Sequence, residues 1–365
     1  MNRRAFVKTG LGVSASIAMA GSIGPARSLG AIGHDAVNWR LFEVTTRVQI
    51  LNPTGAARAW VPLPLMSDTD YQKSLGQRVG GNAASTRVVR DEKYGAGILF
   101  AEWPAGEPSP AVELVNRFAT RDRSVDLTAP GNPAPEDKKV LALYGKGSRY
   151  VATDGIVAKT SRQITNGLPT DLEKARAIYE WIVDNTFRDP KVRGCGLGNI
   201  RAMLETGNLG GKCADLNALF VGLARAAGIP ARDVYGVRVA DSAEFKSLGK
   251  SGDITRAQHC RAEFYVASHG WVPVDPADVR KVVLEEQGGL PVDDPVVKRA
   301  RAKLFGAWEM NWLGFNYAAD VTLPQSASEP LAFFMYPQAE TAEGRRDSLD
   351  PDSFRYTMTS REITV

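Results

Sequence analysis

Cysteine and histidine are both scarce in this chain, with three of each among 365 residues. Three cysteines (Cys195, Cys213, Cys260) are too few for a disulfide framework, and an odd number leaves at least one thiol. No CxxC pair and no HExxH spacing occurs, which argues against a structural zinc site; neither metal nor other cofactor is expected. An EF-hand pattern is missing too. Internal repeats and low-complexity runs are absent. So is a strong excess of charge. Of 45 basic residues, Arg3, Arg4, Lys8 and Arg27 lie in the first 31 positions with no acid among them. Without these four, 41 basic residues face 41 acidic ones. The basic isoelectric point is therefore no argument for a nucleic-acid or anionic-membrane partner. What remains, with 44% hydrophobic and 24% charged residues, is ordinary globular composition, long enough for two domains.

The first residues form a basic start, Asn2-Arg3-Arg4-Ala5-Phe6-Val7-Lys8, followed by a Gly/Ser/Ala-rich run from Thr9 to Gly24. That run is too short and too interrupted to span a bilayer. With small residues near Ala20, Ala26 and Ala31, it reads as a cleavable leader over residues 1–31, and its arginine pair resembles a twin-arginine signal. The expectation is a periplasmic or secreted protein. It would use the twin-arginine export machinery and, lacking a lipidatable cysteine after the run, keep no membrane anchor once cleaved. A leftover thiol in an oxidising compartment suits a protein folded before export.

Residues 36–128 read as a β domain. Arg40–Ile50 alternates apolar and polar positions and ends at the turn Asn52-Pro53-Thr54-Gly55. Ala59–Pro64 is expected at a sheet edge, because its prolines remove ladder donors. Arg87–Arg90, Gly97–Trp103 and Ala111–Thr120 supply further short strands, a spacing that suggests a β-sandwich. Pro130–Glu136 reads as a linker. Helical period then takes over. Asp171 is the expected N-cap of a helix carrying Ala175, Ile178, Tyr179 and Ile182. A second helix begins near Cys213, buries Leu216, Leu219, Phe220 and Leu223, and ends at Gly228 and Pro230. Val234–Ala240, His259–Ala267 and Gly270–Val274 read as strands, the last two joined by the turn Ser268-His269-Gly270. Helices followed by an antiparallel hairpin give an α+β core over 129–285, with 286–365 expected as an extension completing it.

The chemistry centres on Gly210-Gly211-Lys212-Cys213-Ala214-Asp215. An ordinary thiol is only a few per cent thiolate at neutral pH. The start of a helix offers unpaired N–H groups and a favourable dipole to a thiolate, and the same N–H groups could meet an oxyanion. The two glycines would let a substrate approach. A lone cysteine there is as readily a small packing residue. On the downstream strand, alternation sends His259, Arg261 and Glu263 to one face and Cys260, Ala262 and Phe264 to the core. His34 lies beside the leader and His269 on a turn, which leaves His259 as the base. Asp275 could orient its imidazole, or simply form an Asp-Pro turn. Cys195–Cys260 is the one bridge that would spare Cys213. Two decoys fail on spacing: Thr206–Cys213 lacks the first glycine and the final Ser/Thr of a phosphate loop, and Gly194–Gly198 is no GxGxxG.

Gly-Gly-Lys-Cys213-Ala-Asp-Leu-Asn-Ala-Leu-Phe with Leu-Ala-Arg-Ala-Ala-Gly-Ile-Pro, then His259-Cys-Arg-Ala-Glu263-Phe and Gly270-Trp271-Val-Pro-Val-Asp275-Pro276, resembles the transglutaminase-like superfamily over about residues 170–280. The resemblance implies a papain-like core with Cys213 as nucleophile, His259 as base and Asp275 as orienter. It also implies acyl transfer on peptide or protein amides, by hydrolysis (slightly favoured) or by transfer to an amine; a silent binding module is the rival. Arg261 stands where the family often has a tryptophan, which bears on the substrate cleft. The second oxyanion donor is unassigned, with Asn208 and Trp181 as candidates. Asp215 reads as structural.

Overall fold

The computed structural model describes Trp39–Thr364. The expected leader, its arginine pair and His34 lie outside the described residues. Among those described, no helix is long and apolar enough to cross a membrane.

Six strands open the described residues: β1 (Arg40–Ile50), β2 (Ala57–Pro62), β3 (Gln72–Gly81), β4 (Ser85–Arg90), β5 (Gly97–Trp103) and β6 (Ala111–Thr120). Seven α-helices follow among the described residues: α1 (Lys138–Tyr144), α2 (Gly155–Thr165), α3 (Asp171–Asn185), α4 (Ile200–Thr206), α5 (Cys213–Ala226), α6 (Pro276–Glu285) and α7 (Pro295–Lys303). The later long strands are β7 (Ala231–Arg238), β8 (Gln258–Val266), β9 (Gly270–Val274), β10 (Trp312–Asn316), β11 (Gln338–Thr341) and β12 (Phe354–Ile363).

The first six strands split between two five-stranded sheets, one running β12-β1-β6-β3 from the short strand Gly252–Asp253 and the other β11-β2-β5-β4 from Gly344–Arg345. Val48, Ile50, Ala59, Val61, Leu99, Trp103, Val112 and Leu114 interdigitate between them, as a sandwich requires. Two details depart from expectation. The proline-bearing β2 is an interior strand. Its pairing with β11 stops at Trp60, so Pro62 lies beyond that neighbour's reach and withholds no donor from it. The segment 286–365 divides: β10 joins the core sheet, whereas β11 and β12 complete the sandwich. β12 pairs with β1 over its whole length, Leu41 opposite Ile363 to Ile50 opposite Phe354. A strand so remote in sequence carries no local sign of its partner.

The core sheet has the order β9-β8-β7-β10, all antiparallel. Helix α5 packs on β8 and β7, with α2 and α3 against it. It is buried from Cys213 to Ala224, the signature of a central helix rather than an amphipathic surface one. Helix α3 begins one residue earlier than a cap at Asp171 would place it. Thr170 is the N-cap, and its hydroxyl and the Glu173 carboxylate form a reciprocal capping box. Phe42, Val44 and Phe118 of the sandwich meet Val237, Leu313 and Phe315, while the far face of the core sheet, bearing Val234 and Trp312, packs on Leu65 and Tyr71. That face is polar in sequence but not wet: Glu263 is fully buried there. It is bonded to Arg123 and, at 2.6 Å, to Arg232, which stacks 3.9 Å from the Trp271 and Tyr317 rings. His269 sits half-buried on its hairpin turn.

Candidate active site

The helix start is built around Asp215. Its Oδ2 accepts the Lys212 amide at 3.0 Å, and its Oδ1 accepts the Leu197 and Gly198 amides at 3.0 and 2.9 Å. A carboxylate at a helix N-terminus also meets the positive end of the dipole. The loop 194–198 is thereby strapped to the first turn of α5, and the Ala214 amide donates to the Cys195 carbonyl at 3.0 Å. Gly196 is held at φ +94, and a Cβ there would stand 1.8 Å from Asp215 Oδ2, so only glycine fits. Gly210 and Gly211 answer to packing as well. A Cβ on the first would strike the Phe187 ring at 2.4 Å, and one on the second the Asp215 Cβ at 2.5 Å. Clearance for a substrate is thus not what requires these two glycines.

Cys213 is the first residue of α5 and is only 3% exposed. Three side chains act on its thiol through hydrogen bonding, Cys195 first, then Cys260 and His259. These bonds outweigh burial and hold the Cys213 thiol well below its ordinary range, the Cys195 contribution being the largest. The two donors respond in the opposite direction. Hydrogen bonding to Cys213 together with burial pushes Cys195 up, and burial together with the same bond pushes Cys260 up. The Cys195 S–H donates to the Gln258 carbonyl at 3.3 Å. All three cysteines are free, so the Cys195–Cys260 bridge is not formed.

His259 Nε2 lies 2.7 Å from Asp275 Oδ2, which leaves the other ring nitrogen for the sulfur. The hairpin register explains the meeting. Ala262 faces Val274, so Asp275 follows opposite Arg261 and one of its oxygens reaches back to His259. Asp275 is also the N-cap of α6. Its Oδ1 accepts the Asp278 amide at 3.0 Å and Asn217 Nδ2 at 3.2 Å, so that Oδ2 is aimed at the ring. Asn217, one turn after Cys213, donates to the Cys260 carbonyl at 2.8 Å as well and so ties α5, β8 and α6 together.

A second carboxylate reaches the same imidazole. Asp278 Oδ2 lies 3.3 Å from His259 Nε2, and its other oxygen takes Arg238 at 2.6 Å. Arg261 Nε lies 3.8 Å from Asp275. Burial and the Arg238 charge oppose a charged ring, but Asp278 and Asp275 overcome them and raise His259 to about 10. Burial and the Asp278 charge raise Asp275; Asp278, although buried, is drawn well below the usual carboxylate range by Arg238 and His259. The cluster thus balances a thiolate and two carboxylates against an imidazolium and two guanidiniums.

Sequence reasoning named Cys213, His259 and Asp275 and left out Asp278, Asn217 and Arg238. The first two were detectable: Asp278 follows Asp275 by the three residues that separate an N-cap from N3, and Asn217 follows Cys213 by one helical turn. Arg238 had no such signal. Arg261, read as bearing on the cleft, is buried against Trp312 and Trp308 and acts on charge behind the histidine. The oxyanion candidates fare differently from the triad. Asn208 is exposed with its side-chain oxygen bonded to the Gly210 amide at 3.2 Å, and Trp181 packs along the apolar core. Donor atoms of His259, Asp275 and Asp278 lie within 4.8 Å of one another, the one such group among the described residues. Arg238 and Arg261 already supply the positive charge that a cation would bring there. Two open surface cavities, one bordered by Arg47, Glu113 and Arg355 and the other by Asp241, Lys246 and Glu286, do not include Cys213.

The family model of the transglutaminase-like superfamily matches residues 158–276, a span that contains this entire cluster except Asp278. An uncharacterized protein of Haemophilus influenzae is 37% identical over 342 residues, covering 88% of this chain and 92% of its own. The chain belongs to the transglutaminase-like superfamily. Its α+β fold is that of the superfamily, preceded by the sandwich. A candidate cysteine protease from Cytophaga hutchinsonii superposes with a TM-score of 0.50 at 16% identity, over 89% of this chain and 98% of that one. The periplasmic domain of TgpA from Pseudomonas aeruginosa gives 0.35 at 14% identity, over 67% and 91%.

Proposed function

We propose that this transglutaminase-like protein is an exported thiol enzyme that attacks amide carbonyls of peptides or proteins, most simply a peptidase or amidase. The observation that carries the reading is the 2.7 Å pair of His259 and Asp275, buried in the same protein interior as Cys213 at the start of α5, with the sulfur low and the imidazole high in pKa. The Cys213 thiolate adds to the carbonyl carbon. The Cys213 amide at the helix start is the oxyanion donor, since the Ala214 amide is already bonded to Cys195. Collapse of the adduct expels an amine or ammonia, which leaves with the proton of the His259 imidazolium and deposits a thioester. The neutral ring then takes a proton from water as water adds to the thioester, and the acid is released. An amine in place of water would complete a transglutaminase cycle by the same steps up to the last. Because Cys213 and His259 are each 3% exposed, the site must open before a peptide can enter.

The test is labelling with an iodoacetamide probe, with and without Cys213→Ala, followed by assay on casein, glutamine peptides and cell-wall peptides. Rapid labelling lost in the variant, together with released acid or cleaved peptide, is expected. Incorporation of a lysine-like amine in place of hydrolysis would move the assignment to transglutaminase. A thiol that reacts like free cysteine, with no turnover, would make the fold a binding module.

A further inference from the structure

The active-site reading uses one thiol, yet Cys195 and Cys260 share the buried cluster that holds Cys213. Cys195 comes from the loop 194–198, its carbonyl on the Ala214 amide at 3.0 Å, and Cys260 is the third residue of β8. Packing alone does not call for this, because valine or alanine fills such a position without a polar hydrogen. A thiolate flanked by protonated thiols is instead the arrangement in which an oxidised sulfur can be captured before it is lost. We propose that Cys195 is a resolving thiol for Cys213, making the site a reversible peroxide-modification site.

The two flanking thiols are not equivalent. Cys260 sits in a strand paired on both sides, opposite Tyr235, with its carbonyl taken by Asn217 and its side chain fully buried. It cannot shift without breaking the sheet. Cys195 lies between Gly194 and Gly196 in a turn fastened by amide bonds to Asp215, and its own carbonyl accepts the Ala214 amide at 3.0 Å. Its backbone thus already runs beside the residue next to the nucleophile. Its sulfur, 3.3 Å from the Gln258 carbonyl, stands near the residue next to the base. A disulfide needs the two sulfurs roughly 2.05 Å apart, so the Cys195 side chain has to leave the Gln258 carbonyl and swing to Cys213. A short glycine-flanked turn can supply that.

The chemistry balances with a hydroperoxide as oxidant. The Cys213 thiolate attacks the distal peroxide oxygen, and the O–O bond breaks. Alkoxide or hydroxide leaves and takes up a proton, so the sulfur is oxidised to sulfenic acid as the peroxide is reduced to alcohol or water. Cys195 sulfur then attacks the sulfenyl sulfur. An S–S bond forms, the S–OH bond breaks, and the departing hydroxide leaves as water with the Cys195 proton. A thiol reductant restores both cysteines. Without Cys195 the sulfenic acid can meet further peroxide and pass to sulfinic and sulfonic acids, which thiols do not reverse.

Trypsin makes the outcome readable, because cleavage at Arg193, Arg201, Lys212, Arg225, Arg256 and Arg261 puts each cysteine on its own peptide. The full-length mature protein is treated with hydrogen peroxide, blocked with N-ethylmaleimide and mapped without reduction. The expected product is the 194–201 peptide linked to 213–225, with probe labelling of Cys213 lost on oxidation and recovered by dithiothreitol. In Cys195→Ser, and in Cys195→Ala should the serine variant not fold, Cys213 should gain two or three oxygens and lose labelling permanently. A link from 213–225 to 257–261, or overoxidation of the wild type as fast as of the variants, would overturn the assignment. Should neither variant fold, the wild-type map decides alone. The inference rests on Cys213 being a reactive thiolate, and the two can fail separately. A Cys213 inert to iodoacetamide defeats the active-site reading; one that labels fast but forms no link to Cys195 defeats only this inference.

Discussion

Asp278 stands 3.3 Å from the His259 nitrogen that Asp275 holds at 2.7 Å. One imidazole is thus gripped by two buried carboxylates, and they are not redundant. Asp275 is placed by α6 and Asn217 to orient the ring, whereas Asp278 is pinned by Arg238 and contributes charge. Their combined field is what keeps His259 protonated inside the protein despite burial.

This field predicts the pH profile. Turnover needs thiolate and imidazolium together, so kcat/KM should be level from below neutrality and fall only as pH rises through about 10, where His259 loses its proton. Asp278→Asn should draw that alkaline limb down by roughly one pH unit, the scale of ~1.4 kcal/mol. It should also lower stability by about 3–5 kcal/mol, since Arg238 would be left buried and unpaired. Because the folded pKa is raised above the ordinary 6.5, the ring's charge contributes stability that is complete below 6.5 and lost as pH approaches 10. Thermal melts of Cys213→Ala across that window should show the loss. A limb unmoved in Asp278→Asn would remove the second carboxylate from the account.

Cys213→Ala and His259→Ala should each abolish turnover while leaving the fold intact, and the double variant should be no worse than either. Residues that act as one unit do not add. Asp275→Asn should retain weak activity, down by roughly 10²–10⁴-fold, because the base survives while its orientation and charge support do not. Steady-state kinetics beside circular dichroism separate these outcomes from misfolding. Additive losses would count against a shared mechanism.

Glu263→Gln tests the joint between sandwich and core. Arg123 from the sandwich side and Arg232 from β7 converge on this carboxylate, and neutralising it leaves two buried guanidiniums uncompensated. The expected loss is about 3–5 kcal/mol in denaturant unfolding. A loss under about 1 kcal/mol, the level of an exposed pair, would show the layer to be solvated in solution.

Arg3→Lys with Arg4→Lys should block export, and N-terminal sequencing of wild-type mature protein should place cleavage between about residues 20 and 31. Mature protein outside the cytoplasm after the double change would remove the twin-arginine route, though not secretion itself.

The order of chemistry along the chain was legible without coordinates. Glycines, a helix with its first residue a cysteine, a histidine strand and an Asp-Pro turn are local patterns, each enforced by capping, alternation or turn geometry within a few residues. The strands β1, β5, β6 and β9 were legible for the same reason, their alternation or turn boundaries being set by which side chains must be buried. β3, polar and glycine-rich, carried no such pattern and was missed. The interior place of β2 depended on where β11 stops, and the division of 286–365 on β12 finding β1, more than 300 positions away. Local propensity says nothing about such pairings, because they are decided by which edges are free once the core has formed. The charge balance at His259 belongs to the same class. Arg238 comes from β7, Asp278 from α6 and Arg261 from β8, and a field summed over three elements exists only after folding brings them within a few ångströms. Sequence named Cys213, His259 and Asp275; packing decided which charges surround them.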